Sequence, residues 1–125
     1  MNGISMMIVD DDLCVLEVAS LYLRKEGVEV QCARSGEEAL GMLREKHFHL
    51  MLTDLHMPGM DGFELVRRTL VLAPLMKILM NTGDPSEENL RTARELGIES
   101  VIAKPFHMAE IVTIVKSLIL EVADP

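Results

Sequence analysis

Five short apolar runs recur along this chain, each followed by a longer stretch with helical spacing, and that alternation narrows the fold more than any other feature. Parallel strands cannot be joined by a tight turn. They need a crossover of about a dozen residues or more, which a helix supplies. The alternation therefore predicts an α/β fold, a doubly wound five-stranded parallel sheet with five helices, and residues 1–125 are expected to form a single domain.

The first strand is expected at Ser5 to Val9, followed by a helix near Asp12 to Glu26 with Arg24 and Lys25 in its last turn and Gly27 as its stop. Val28 to Cys32 form the second strand. Ser35 and Glu38 make a capping box that opens a helix reaching about Lys46. Leu50 to Thr53 are the third strand, and the segment from Asp54 to Met60 is a loop. Asp61 and Glu64 then cap a third helix that closes near Pro74. Lys77 to Met80 make the fourth strand. Asp84 is the expected cap of the fourth helix, with Pro85 at its first position and Glu87 at its third. This helix ends before Gly97 and has only Leu90, Ala93 and Leu96 as apolar anchors, so it should be the least firmly held.

Glu99 to Ala103 are the fifth strand, and the last helix runs from about His107, in its first turn, to Val122. The β-branched residues Ile111, Val112, Ile114 and Val115 would also suit a strand. The length of the segment and the stripe Met108, Ile111, Val112, Val115, Leu118, Ile119 and Val122 favour a helix, with Ile114 and Leu120 off the stripe.

Composition removes several classes of function. Apolar residues are 49% of the chain, but they occur in runs far shorter than the ~20 that span a bilayer. Met1 to Met7 lack the pattern of a secretory signal, so no membrane association and a cytoplasmic location are expected. Twenty acidic residues against twelve basic give a formal charge of −8, with no basic stripe, so no direct nucleic-acid binding is expected. Cys14 and Cys32 sit where small buried hydrophobes are expected, and a disulfide is not. The methionines mostly replace other apolar residues and read as core filler. His47 and His49 read as solvated loop at a helix end rather than as a metal site.

Polar residues stand just beyond four of the five strands: Asp10 and Asp11, Asp54, Thr82, and Lys104. In a parallel sheet with right-handed crossovers these positions share the carboxyl edge. With the strand order 2-1-3-4-5, Asp10, Asp11 and Asp54 meet at the switch point. Like charges ~4 Å apart repel by roughly 4 kcal/mol at an effective dielectric near 20, and a divalent cation relieves this. Oxygen ligands select a hard ion, and a few carboxylates suit Mg²⁺. A metal, a lysine, a hydroxyl and a free carboxylate together fit phosphoryl transfer onto an aspartate.

The pieces Ile8 to Asp12, Ala33 to Leu40, Asp54 to Gly62, Asn81-Thr82-Gly83 and Lys104-Pro105-Phe106 occur in order along nearly the whole chain, which resembles a response-regulator receiver domain of two-component phosphorelay systems. The resemblance implies the flavodoxin-like receiver fold, with Asp54 as phosphoacceptor, Asp11 as a direct metal ligand and Asp10 assisting. It further implies that the main-chain carbonyl of His56 completes the protein ligands, that Thr82 and Lys104 contact the phosphoryl oxygens, and that Lys104-Pro105 is cis. The donor would be a sensor histidine kinase or a histidine phosphotransfer protein, and the output a downstream protein target or effector domain. The chain would be a monomer or weak dimer and no enzyme toward other substrates.

Two further readings belong to other classes: a phosphorylation-independent interaction module on the same fold, and a metal-dependent phosphohydrolase. The complete acceptor set argues against the first. The second lacks a cap domain and the Asp-x-Asp nucleophile motif, since Leu55 and His56 follow Asp54.

Asp12 reads as a helix cap rather than a ligand, and Asp84 either as a cap or as a bias on water attack at the phosphorylated site. The His56 side chain is expected at the rim. Many receiver domains carry Tyr or Phe three residues before the lysine, where this chain has Val101.

Overall fold

A computed structural model of the chain describes residues 3–123, with side chains from 3 to 120. Five strands alternate with five helices: β1 (Ser5–Val9), α1 (Leu13–Lys25), β2 (Glu29–Ala33), α2 (Gly36–Glu45), β3 (Leu50–Asp54), α3 (Gly62–Leu72), β4 (Lys77–Thr82), α4 (Glu87–Leu96), β5 (Ser100–Ala103) and α5 (Met108–Ala123). The sheet is parallel throughout, in the order β2-β1-β3-β4-β5.

Strand alternation divides the core into two layers. Met7, Val9, Met51, Ile78 and Met80 face α2, α3 and α4, where they meet Leu40, Phe63, Val66 and Ala93. Met6, Ile8, Leu50, Leu52 and Leu79 face α1 and α5, where they meet Leu16, Leu23, Ile111 and Val115. Burial of both faces explains why the middles of the central strands are apolar on both sides, Met6 to Val9, Leu50 to Leu52 and Ile78 to Met80.

Helix ends follow local chemistry. Asp12, Ser35 and Asp61 accept from the amides of Cys14, Glu38 and Glu64. Gly97 ends α4 at φ 81, a conformation that costs glycine nothing. The α4 start departs from expectation. Ser86, not Asp84, is the cap, accepting from the Asn89 amide at 3.2 Å, and Pro85 lies before the helix. Asp84 is instead held by Asn89 Nδ2, which donates to its carbonyl at 2.9 Å and to Oδ2 at 3.2 Å. Ala93 is the only buried residue of α4.

Other boundaries shift by one or two residues. β2 lies one residue later than expected, and β3 and β4 extend to Asp54 and Thr82. The ladder continues through these polar residues because it bonds main chain, not side chains: Leu55 donates to the Asn81 carbonyl at 3.2 Å and Lys104 to that of Thr82 at 2.8 Å. His107 precedes α5, its carbonyl accepting from Glu110 at 3.0 Å.

Cys14, expected to be buried, is exposed, and Cys32 is half-buried; both are free thiols. Ile114, expected off the α5 stripe, is half-buried against the α1–α5 core, whereas Leu120 is exposed. The Val122 side chain lies outside the described residues.

Candidate functional site at the carboxyl edge of the sheet

β1 and β3 are neighbours, and Val9 pairs with Thr53, so the residues that follow, Asp10 and Asp54, stand side by side where the strands end. Asp10 is 1% exposed and Asp54 7% exposed, whereas Asp11 points to solvent. One carboxylate oxygen from each of Asp10, Asp11 and Asp54 lies within 4.8 Å of the others. The arrangement concentrates negative charge in a half-enclosed space.

Asp10 shows the consequence most clearly. Burial pushes its carboxyl above the ordinary range, and repulsion from Asp54 and Asp11 adds to that; the Asp12 amide and the Lys104 ammonium pull the other way. Asp10 Oδ1 accepts from Asp12 N at 2.9 Å. Its Oδ2 is buried and has no hydrogen-bond partner among the described residues.

Lys104 reaches the same space from the end of β5. Its Nζ lies 3.3 Å from Asp54 Oδ2 and 3.6 Å from Asp10 Oδ2. One ammonium does not neutralise three carboxylates, and a buried oxygen without a donor is what a cation ligand looks like before the cation arrives. The donors are all oxygen, so the cluster can hold a hard metal ion.

Thr82 closes β4, buried, and its Oγ1 accepts from the Asp84 amide at 3.0 Å. The hydroxyl proton is thereby left free to donate elsewhere. His56 is exposed in the loop after β3, with Nε2 3.6 Å from Asp84 Oδ2. His56, expected at the rim, is exposed there and lies beside Asp84.

The loop is anchored from below: Gly62 N donates to the Leu55 carbonyl at 2.7 Å, and a Cβ on Gly62 would collide with the Asp54 carbonyl and Leu55 Cα. Only glycine lets α3 start this close to the end of β3. The Lys104-Pro105 peptide is cis.

Residues 6–116 match the family model described as the response regulator receiver domain. The chain belongs to this family. A CheY-like response regulator receiver domain protein from Methanospirillum hungatei is 33% identical, covers 94% of each chain and superposes with a TM-score of 0.90. The chemotaxis protein CheY4 of Vibrio cholerae is 27% identical over 92% of this chain and 98% of its own, with a TM-score of 0.87. A response regulator from Burkholderia pseudomallei, whose structure holds a phosphorylated aspartic acid, a calcium ion and citrate, is 25% identical over 88% of this chain and 65% of its own, with a TM-score of 0.82.

Val101, which stands where many receiver domains carry a ring, is half-buried against the α2–α4 core of this receiver domain. Asn81 read as part of a motif; only strand register sets it opposite Asp54.

Proposed function

We propose that this receiver domain accepts a phosphoryl group on Asp54 from a phosphohistidine of a sensor kinase or histidine phosphotransfer protein, in a magnesium-dependent reaction in the cytoplasm. The observation that carries the proposal is the Lys104 ammonium set between Asp54 Oδ2 and an otherwise unpartnered, buried Asp10 Oδ2. Asp10, Asp11 and Asp54 would hold the ion through carboxylate oxygens, with the His56 carbonyl as a further ligand. Magnesium, when bound, supplies the positive charge that lets an anionic phosphoryl group approach an anionic acceptor.

The chain's own groups do the rest. An Asp54 carboxylate oxygen attacks phosphorus as the phosphorus–nitrogen bond to the donor histidine breaks, and the electron pair leaves with the imidazole. Lys104 stays beside the attacking carboxylate and takes up charge that moves onto the phosphoryl oxygens. Thr82, whose oxygen already accepts from Asp84, donates its hydroxyl proton to a phosphoryl oxygen. The reaction is confined to this chain's own phosphorylation and dephosphorylation, and the phosphorylated form changes its contacts with a downstream protein or effector domain.

Output does not use a ring at position 101. A partner that reads the loops around Asp54 directly fits the site better. Replacing Val101 by Tyr should then leave the affinity of the phosphorylated domain for its output partner nearly unchanged, and a large gain would contradict this. The test of the central reaction is intact-mass measurement after incubation with a small phosphodonor and Mg²⁺.

A further inference from the structure

Strand register lays one row of residues across the carboxyl edge. Asp10 follows the Val9–Thr53 pair and so neighbours Asp54; Asp54 lies opposite Asn81, and Asn81 opposite Ile102. Residues paired across parallel strands project to the same face. Ile102 packs in the layer beneath α1 and α5, so the Asn81 amide stands on the same side of the sheet as the Asp54 carboxylate. It is 1% exposed, and its Oδ1 has no hydrogen-bond partner among the described residues. A buried amide oxygen with no donor is costly and is found where a donor arrives.

The donor at hand is Lys104. β4 separates β5 from β3, so the lysine stem must cross β4 to bring Nζ within 3.3 Å of Asp54 Oδ2. At that row β4 presents Asn81. An ammonium carries three N–H donors. Lys104 Nζ lies 3.3 Å from Asp54 Oδ2 and 3.6 Å from Asp10 Oδ2, so even with one N–H turned to each carboxylate a third remains for an acceptor on β4.

Resting on the phosphoryl-accepting reading of Asp54, we propose that Asn81 is a positioning residue whose Oδ1 accepts the third N–H of Lys104 and so holds the ammonium over Asp54 during transfer. Closing that bond takes a rotation about the last bonds of the flexible lysine stem. A neutral amide suits the task. It attracts the ammonium without adding a fourth negative charge to the cluster of Asp10, Asp11 and Asp54.

The test compares wild-type protein with Asn81→Leu, which keeps the branched shape and removes the acceptor, and Asn81→Asp, which restores an acceptor. Solvent exchange of the Lys104 Nζ protons, followed by ¹⁵N NMR in the metal-free, unphosphorylated protein, should speed up about tenfold in Asn81→Leu and return toward wild type in Asn81→Asp. The rate constant for phosphorylation by acetyl phosphate with Mg²⁺ should fall about tenfold in Asn81→Leu.

Unchanged Lys104 exchange in Asn81→Leu overturns the proposal, because a water molecule or another donor then satisfies Asn81. Unchanged phosphorylation in that variant overturns it as well. Faster exchange in Asn81→Leu with no phosphorylation of wild-type protein overturns the reading of Asp54 and supports the lysine contact alone. Thermal melts verify folding, and Asn81→Ala replaces Asn81→Leu in the same comparison if the latter fails to fold.

Discussion

At the amino end of the sheet, Ser5 N donates to His49 Nδ1 at 3.1 Å, Ser5 Oγ donates to the His47 carbonyl at 3.2 Å, and Lys46 and Lys77 pair with Glu29 and Glu99 at 2.9 and 3.4 Å. At the carboxyl end, three carboxylates crowd together with one lysine beside two of them, and Asp10 Oδ2 and Asn81 Oδ1 are buried without a hydrogen bond. One further buried atom of this kind among the described residues, Thr69 Oγ1, lies within α3. The two ends share a sheet and a core, yet one satisfies its polar groups and the other withholds partners from them. Unmet electrostatic demand is what binding a cation and an anionic group draws on, so the contrast separates the end that holds the fold from the end that works.

Substitutions at the two ends should diverge accordingly. Phe48, fully buried at the amino end, should have the largest effect on stability: Phe48→Ala is expected to cost about 3–5 kcal/mol in denaturant unfolding while the folded fraction still accepts phosphate at the wild-type rate. Asp10→Asn should do the reverse. It removes a buried charge whose ionised form the fold disfavours and keeps an oxygen for the Asp12 amide, so metal-free stability should rise by about 1–3 kcal/mol. Added Mg²⁺ should raise the melting temperature of wild-type protein and raise that of Asp10→Asn much less. A loss of metal-free stability in Asp10→Asn would erase the contrast between the ends.

The amino end should respond to acid. The His49 ring accepts from Ser5, and burial, then the nearby His47, holds its pKa below the usual 6.5. Below about pH 6.5 the unfolded chain therefore binds a proton at this residue before the folded chain does, so stability falls as pH falls toward the folded pKa and levels off beneath it. Chemical denaturation across that window should show the slope in wild-type protein and a flatter one in His49→Gln. Smallest of all, Glu29→Gln removes an exposed ion pair and should cost less than about 1 kcal/mol.

The βα alternation made the layers and the switch point legible from sequence, since strands buried on both faces carry apolar runs through their middles and strand ends collect the polar residues. Legibility stopped where the main chain, not the side chain, decided the outcome. Asp54, Asn81 and Thr82 look like loop residues but remain in the ladder because their backbone groups are paired. Asp84 and Ser86 are both good caps, and three-dimensional geometry chose Ser86. His49 read as solvated because its partner, Ser5, is distant in sequence and becomes a neighbour only through the sheet.

Asp10, Asp11, Asp54, Thr82 and Lys104 were visible as candidates because carboxylates, a hydroxyl and a lysine just beyond successive strands suit a metal and a phosphoryl group. Asn81 was not singled out, since its relation to Asp54 and Lys104 exists only in the register between strands.

The unmet demand at the carboxyl end is proposed to serve Asp54 as a phosphoryl acceptor. Intact-mass spectrometry after incubation with acetyl phosphate and Mg²⁺ tests it most directly. A single added phosphoryl group, lost in Asp54→Asn and lost when Mg²⁺ is chelated, is the predicted result. No added mass with acetyl phosphate or a phosphohistidine donor, or an addition that persists in Asp54→Asn, would contradict it.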